Sequence, residues 1–238
     1  MAPSSGAYML PPIPTLVSCP KCSKPFKAYD DVSGNTFGAT FWSDGWVDAP
    51  MMPADKVVII CPHCRESVWR DDCPDGHPDY KPPERQPWED SGHNYDEPYN
   101  RYWAFEAADR AGPKRFLRML RSPIDKPERE RYLRTQVWWA ANHPYRKEPS
   151  QPPAWTGPEK LNMAMLAALL DDTDGRQLIT KAEIMRELGR FQLAKSLLER
   201  VPRKDHRFAT FVEELVDKGD SCVREIKAPG DGDITIYV

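Results

Sequence analysis

Two cysteine pairs of one form, "CPKC" at 19–22 and "CPHC" at 61–64, constrain this chain more than any other feature. A C-P-x-C turn offers two sulfurs on one side of the chain, so the pairs together present four soft ligands. Their flanks are alike. "TLVS" leads into the first pair and "KPFKAY" leaves it, while "KVVII" leads into the second and "ESVWR" leaves it. Each flank is short and apolar or alternating, which predicts two β-hairpins with a cysteine pair at each tip. The N-terminus, "MAPSSGAYMLPPIPTL", does not read as a signal peptide, and with a cytosolic setting expected, such pairs point to a metal before disulfides.

Zinc prefers four ligands at tetrahedral corners, and Cys19, Cys22, Cys61 and Cys64 are the expected set. Over residues 15–72 the chain resembles a zinc ribbon. The resemblance implies a closed, structural metal site. Ribbons often carry Gly just after each pair; Ser23 and Arg65 stand there instead, and a long insert separates the pairs. Four thiolates on a divalent ion leave a charge of about −2, which Lys21, Lys24 and Lys27 are positioned to offset. No H-E-x-x-H or similar arrangement suggests a catalytic metal.

The competing reading is redox chemistry. "CPHC" is also the active-site motif of some thiol–disulfide oxidoreductases, where the histidine lowers a thiol pKa. Those enzymes resemble thioredoxin, in which the motif opens a helix. Here "RESVWRDDCPDGHP" follows, too short and turn-rich for one, and the first pair would be unexplained. His63 is expected to face solvent within its turn. Cys73 and His77 read as loop, and Cys222 as a lone thiol.

Prolines mark the breaks along the chain. There are 25 in 238 residues, about twice the usual share of 5%, and each removes a backbone donor and fixes φ. "CPDGHPDYKPPERQPWEDSGHNYDEP" (73–98) is acidic and nearly free of aliphatic residues, as an extended connector would be; "HPYRKEPSQPPAWTGP" (143–158) is a shorter break. The expected organisation is a disordered N-terminus (1–14), the zinc ribbon with an aromatic insert (15–72), the connector (73–98), a helical domain (99–220) and a tail (221–238). The fold class is α+β: a small β ribbon, then helices. No internal repeat is obvious.

Beyond residue 98 the spacing turns helical. "YNRYWAFEAADRA" (99–111) and "PKRFLRMLR" (113–121) read as helices, the second opened by Pro113. Residues 127–142 repeat that device with Pro127, and Leu133, Val137 and Ala141 share a face that Trp138 widens. "EKLNMAMLAALL" (159–170) is apolar nearly all round and reads as the buried centre. The run 178–201 resembles one tetratricopeptide-type hairpin, with Gly189 in the turn "LGRF" and small Ala182 and Ala194 where the helices approach. A true array needs about three such units at a regular period, which is not visible; the plainer reading is an αα-hairpin. Residues 205–217 form a further helix, and "DGDITIYV" (231–238) alternates like a strand. "DDTDG" (171–175) is not a calcium loop, since Lys181 stands where the spacing requires Glu.

Function follows from this inventory. The net charge of −3 creates no global attraction for nucleic acid or anionic lipid. No apolar run approaches the roughly 20 residues that span a bilayer, and a cytoplasmic location is expected. Phosphate-cradling glycine loops are missing, and His63, His77, His93, His143 and His206 stand without motifs around them. The sequence therefore reads as a non-catalytic interaction or scaffold protein with a structural zinc and an unknown protein partner.

"FGATFWSDGWVDAPMMP" (37–53) is the segment that needs explaining. A small ribbon cannot bury Phe41, Trp42 and Trp46, so they are expected to pack on the helical half; failing that, they form a partner-binding patch. The alternative function is nucleic-acid binding through Lys114, Arg118, Arg121, Arg129, Arg131 and Arg134. They lie in a stretch, 99–150, with 12 Lys and Arg against 6 Asp and Glu, but Asp125, Glu128 and Glu130 interleave. The third is thiol–disulfide oxidoreductase chemistry at CPHC.

Overall fold

A computed structural model describes residues 14–29, 34–52, 56–76, 104–148, 152–202 and 206–226. The N-terminal segment, most of the connector with His77 and His93, and the strand-like tail 231–238 lie outside the described residues. The architecture is α+β, and the chain forms two compact units, Met1–Asn35 with Met52–Gly112, and Thr36–Met51 with Pro113–Val238. The first unit contains β1 (Thr15–Ser18), β2 (Pro25–Ala28), β5 (Val58–Ile60), β6 (Ser67–Trp69), a 3-10 turn (Arg70–Asp72) and β7 (Asp109–Arg110). The second contains β3 (Thr40–Trp42), β4 (Val47–Asp48) and β8 (Glu225–Ile226). Its described helices are α1 (Pro113–Met119), α2 (Pro127–Lys147), α3 (Gly157–Leu169), α4 (Gly175–Glu187), α5 (Phe191–Leu198) and α6 (His206–Asp217).

The first unit is one hairpin built twice. β1 pairs antiparallel with β2 and closes at Ser18↔Pro25; β5 pairs with β6 and closes at Ile60↔Ser67. "LVSCPKCSKPFK" (16–27) and "VIICPHCRESVW" (58–69) thus correspond residue for residue, a repeat that side-chain identity outside the cysteines conceals. Equivalent positions Val17 and Ile59, and Phe26 and Val68, meet in one small core with the buried Cys19, Cys61 and Cys73. A strand edge left open invites pairing with other chains, and here neighbouring segments take up the edges. Ser18 donates to the Pro74 carbonyl at 3.1 Å, Ala108 to Lys27 at 2.8 Å, and Ala111 to Val58 at 3.1 Å.

That last segment corrects the helix expected over 99–111. Residues 99–103 lie outside the described residues, but Asp109–Arg110 is extended and pairs with β5 through Ile59↔Arg110 and Ile60↔Asp109. Local helical spacing there loses to the backbone groups that β5 offers.

In the second unit the helices form as their sequences direct. Thr156 and Glu159 make a reciprocal capping box at the start of α3, and Asp174 caps α4 by accepting from Arg176 and Gln177. α4 ends in a Schellman motif: Arg190 donates to the Met185 carbonyl and Gly189 to Arg186, at 2.8 and 2.9 Å. Gly189 adopts φ +73°, where a Cβ would be strained. The turn sends α5 back along α4, with Ala182 and Ala194 fully buried. Around that pair lies the core of Trp138, Met163, Leu166, Leu178, Ile179, Ile184 and Val212.

α3 is not the buried centre that its composition suggests. Asn162, Met163, Leu166 and Ala167 face inward, whereas Leu161 is 61% and Met165 40% exposed. Only one face of a helix can meet a single layer of neighbours, whatever the opposite face is made of. No described helix is long and apolar enough to cross a membrane.

Because Ala194 is fully buried in this core, Ala194→Leu is expected to destabilise the helical unit by about 1–3 kcal/mol through overpacking. Denaturant unfolding followed by far-ultraviolet circular dichroism measures this, and an unchanged midpoint would contradict the packing described.

Candidate metal centre

The two hairpin tips bring Cys19, Cys22, Cys61 and Cys64 together, with all four sulfurs within 4.8 Å of one another and no disulfide among them. The Cys19–Cys64 and Cys22–Cys61 sulfur separations are both 3.8 Å. A tetrahedral ion with metal–sulfur bonds of about 2.3 Å requires sulfur–sulfur edges of about 3.8 Å, so the spacing fits a single metal ion.

Each tip is shaped by its backbone. Ser23 donates to the Cys19 carbonyl at 2.8 Å, and Arg65 to Cys61 at 3.0 Å; Cys19 and Cys61 in turn donate to Lys24 and Glu66 at 3.1 and 3.0 Å. The chain reverses at Ser23 and Arg65, whose φ values of +58° and +61° are the only positive ones among described non-glycine residues. These are the positions where a ribbon often carries Gly, which explains that preference. The departure from Gly leaves the turn intact and costs backbone energy.

Electrostatics also calls for a cation. Burial pushes the Cys61 thiol up to about 12 and raises Cys19. At the outer edge, the Lys24 backbone N–H holds Cys22 below the ordinary thiol value. Four thiols cannot ionise together in a small buried cluster unless a positive ion compensates them. Cys73 lies in the same core but outside the set. Its thiol, pushed up to about 11 mainly by burial, donates to the Trp69 carbonyl at 3.4 Å.

Of the lysines expected to offset the thiolates, Lys21 and Lys24 are exposed, whereas Lys27 is buried and its ammonium is lowered by desolvation. His63 is exposed and lies 2.9 Å from the Pro25 carbonyl, bridging the two hairpins instead of ligating. The residues after CPHC form β6 and not the helix that a thioredoxin-like site requires.

The other sequence candidates lie in the helical unit. Phe41, Trp42 and Trp46 are half-buried on the β3–β4 hairpin, inside the same unit as the helices. Trp46 meets Trp139 of α2 edge-on at 5.3 Å, and the Arg146 guanidinium lies 5.9 Å from the Trp42 ring and 5.4 Å from Trp46. Prolines at the ends of the insert do not prevent strand pairing, because "SDG" supplies a hairpin turn: Gly45 donates to Trp42 at 2.9 Å and Trp42 to Trp46 at 3.0 Å.

Of the six cations of the nucleic-acid alternative, three are exposed and three are engaged within the protein. Lys114, Arg118 and Arg121 are exposed. Arg129 pairs with Asp125 at 3.3 Å, Arg131 donates to Gln177 at 2.9 Å, and buried Arg134 pairs with Glu130 at 2.6 Å. In "DDTDG", Asp172 pairs with Lys181 at 2.6 Å while Asp174 serves as a cap.

Sequence reasoning passed over Asp44. It is fully buried beneath the aromatic hairpin, where Asn142 donates to it at 2.8 Å and Arg146 forms an ion pair with it. Its signal was the W-S-D-G-W turn, a polar residue enclosed by aromatics. No protein-family model, curated protein or solved structure matches the chain.

Relieving a left-handed residue at a tip is expected to stabilise the ribbon unit. Ser23→Gly should gain about 0.5–1 kcal/mol, the strain released less the extra freedom of the unfolded chain. Arg65→Gly should gain less, since it also removes the exposed Arg65–Asp109 ion pair. Thermal unfolding of metal-loaded protein checks both, and a lower midpoint for Ser23→Gly would contradict the strain argument.

Proposed function

We propose that this chain is a non-catalytic interaction protein whose first unit is a zinc ribbon. The observation that carries this reading is the four-sulfur set, all within 4.8 Å of one another and with two of its separations at the 3.8 Å edge of a tetrahedral site. Four protein thiolates fill the coordination sphere of zinc and leave no position for water or substrate, the arrangement of structural sites. The core of that unit is small, so metal binding supplies stability that burial alone does not.

Interaction is supported by the helical unit. The Gly189 turn with buried Ala182 and Ala194 is compatible with a tetratricopeptide-like hairpin. Leu161, Met165 and Leu193 remain exposed, as side chains at a contact surface would. Nucleic-acid binding is the less favoured reading, because Arg129, Arg131 and Arg134 are engaged within the protein. The oxidoreductase reading leaves the first cysteine pair without a role.

Metal analysis of purified protein should find about one zinc per chain. Chelation should unfold the ribbon unit, seen as loss of its amide resonances, and Cys61→Ser should do the same. Below about half a zinc with those resonances intact, the zinc reading fails. Nucleic acid is tested with a fluorescent oligonucleotide at about 50 and 200 mM salt. No salt-sensitive binding is expected; binding that weakens steeply with salt and is lost in Lys114→Glu/Arg118→Glu would replace the scaffold reading.

A further inference from the structure

Five ionisable side chains of the helical unit are withdrawn from water together: Asp44, Glu183, Glu187, Arg146 and Arg186. Three are carboxyls and two are guanidiniums, so the charges cannot all balance. Arg186 is committed to Glu183 through two hydrogen bonds of 2.6 and 2.8 Å. Arg146 is committed to Asp44. Glu187 receives only neutral donors, Trp138 Nε1 at 2.7 Å and Asn142 Nδ2 at 3.1 Å. Asn142 Nδ2 also donates to Asp44 at 2.8 Å, so one amide group links the two carboxyls. The oxygen of that amide, Asn142 Oδ1, is buried with no donor facing it. A carboxylic acid is a donor where a carboxylate is not.

We propose that the Asp44–Glu187 pair holds one proton in the folded protein, and that this proton keeps the turn of the β3–β4 hairpin docked on α2 and α4. A carboxyl buried without a cation neutralises itself more readily than it stays charged, and two linked carboxyls titrate as a pair. The charges that bear on the pair are Asp44 itself from the hairpin, Arg146 from α2, and Glu183 and Arg186 from α4; His143 of α2, 3.4 Å from the Arg146 guanidinium, and Asp48 of β4 act on Arg146 in turn, and beyond Arg186, Asp220 accepts through its backbone carbonyl. Burial, with Glu183 and Asp44 adding to it, moves Glu187 well above the ordinary glutamate range against the pull of Arg186. Burial likewise raises Asp44 against the pull of Arg146.

The sign of the pH dependence follows. A carboxyl raised in the folded state keeps its proton after the unfolded chain has lost it. Its contribution is therefore complete below the ordinary carboxylate range and is lost as pH rises through the folded titration. Asp174, held low by the Gln177 backbone N–H, acts oppositely and fails only on acidification. Losing the shared proton would set two negative charges around one guanidinium, Arg146. The turn that carries Asp44 also meets α2 through Trp139 Nε1 on the Asp44 carbonyl at 2.9 Å, the edge contacts of Trp46 with Trp139 and His143, and the Arg146 guanidinium beside Trp42 and Trp46, and the ion pair is the one buried charge contact among them. It is the piece that yields.

The test uses the full-length, metal-loaded chain with isotope-labelled glutamate carboxyls. The Glu187 carboxyl resonance should titrate above the ordinary glutamate range. From the ordinary carboxylate range up to that titration, amide exchange of residues 42–46, corrected for its intrinsic pH dependence, should show an opening equilibrium rising about tenfold per pH unit, the slope of one proton. Glu187→Gln supplies a neutral group of the same shape and should abolish that slope. If the variant does not fold, assignment through the backbone resonances of Glu187 still allows the titration to be read in the unmodified chain. A Glu187 carboxyl that ionises in the ordinary range overturns the proposal, as does protection of residues 42–46 that stays constant between the ordinary carboxylate range and the Glu187 titration.

Discussion

A charge taken out of water has to meet its opposite or disappear, and each unit of this chain is arranged around that constraint. In the first unit, four cysteines converge in a core too small to tolerate them as bare thiolates. In the helical unit, Asp44, Glu183 and Glu187 are enclosed with Arg146 and Arg186. The two solutions differ. The first invites an ion from outside the chain, while the second uses guanidiniums from neighbouring turns of helix and, we infer, one retained proton.

The first unit shows how much a small fold can extract from repetition. Two hairpins with the same register present the same backbone turns, and the same left-handed residue follows each cysteine pair. The strain at Ser23 and Arg65 persists because the turns are over-determined by hydrogen bonds on both sides of the cysteines. Short segments cover both outer edges of the first hairpin and the β5 edge of the second, which removes three templates for pairing with other chains.

The aromatic hairpin follows a different logic. Its Trp46 and Trp42 rings gain apolar contact and lie beside the Arg146 guanidinium, and their half-burial shields the Asp44–Arg146 pair from water. Breaking such a pair by removing one partner costs about 3–5 kcal/mol because the survivor stays buried. The aromatics and the ion pair therefore support one another, and neither is explained by hydrophobicity alone.

Much of this was legible along the chain. The cysteine pairs and their flanks named the four candidate ligands and both hairpins, since a metal-ligand turn and its strands are local in sequence. Pro113, Pro127 and Gly189 marked helix starts and the αα turn, because backbone geometry at those residues is intrinsic to them. What the sequence could not decide was which distant groups would meet. The extended stretch near Asp109 follows from the free edge of β5, and the exposure of Leu161 from how few neighbours α3 has. Asp44 is one of two charged residues, with Asp48, in the insert at 37–53. Its burial depends on Asn142 and Arg146, about a hundred residues away, and a charge is stabilised by the partners that surround it in space and not by its neighbours in the chain.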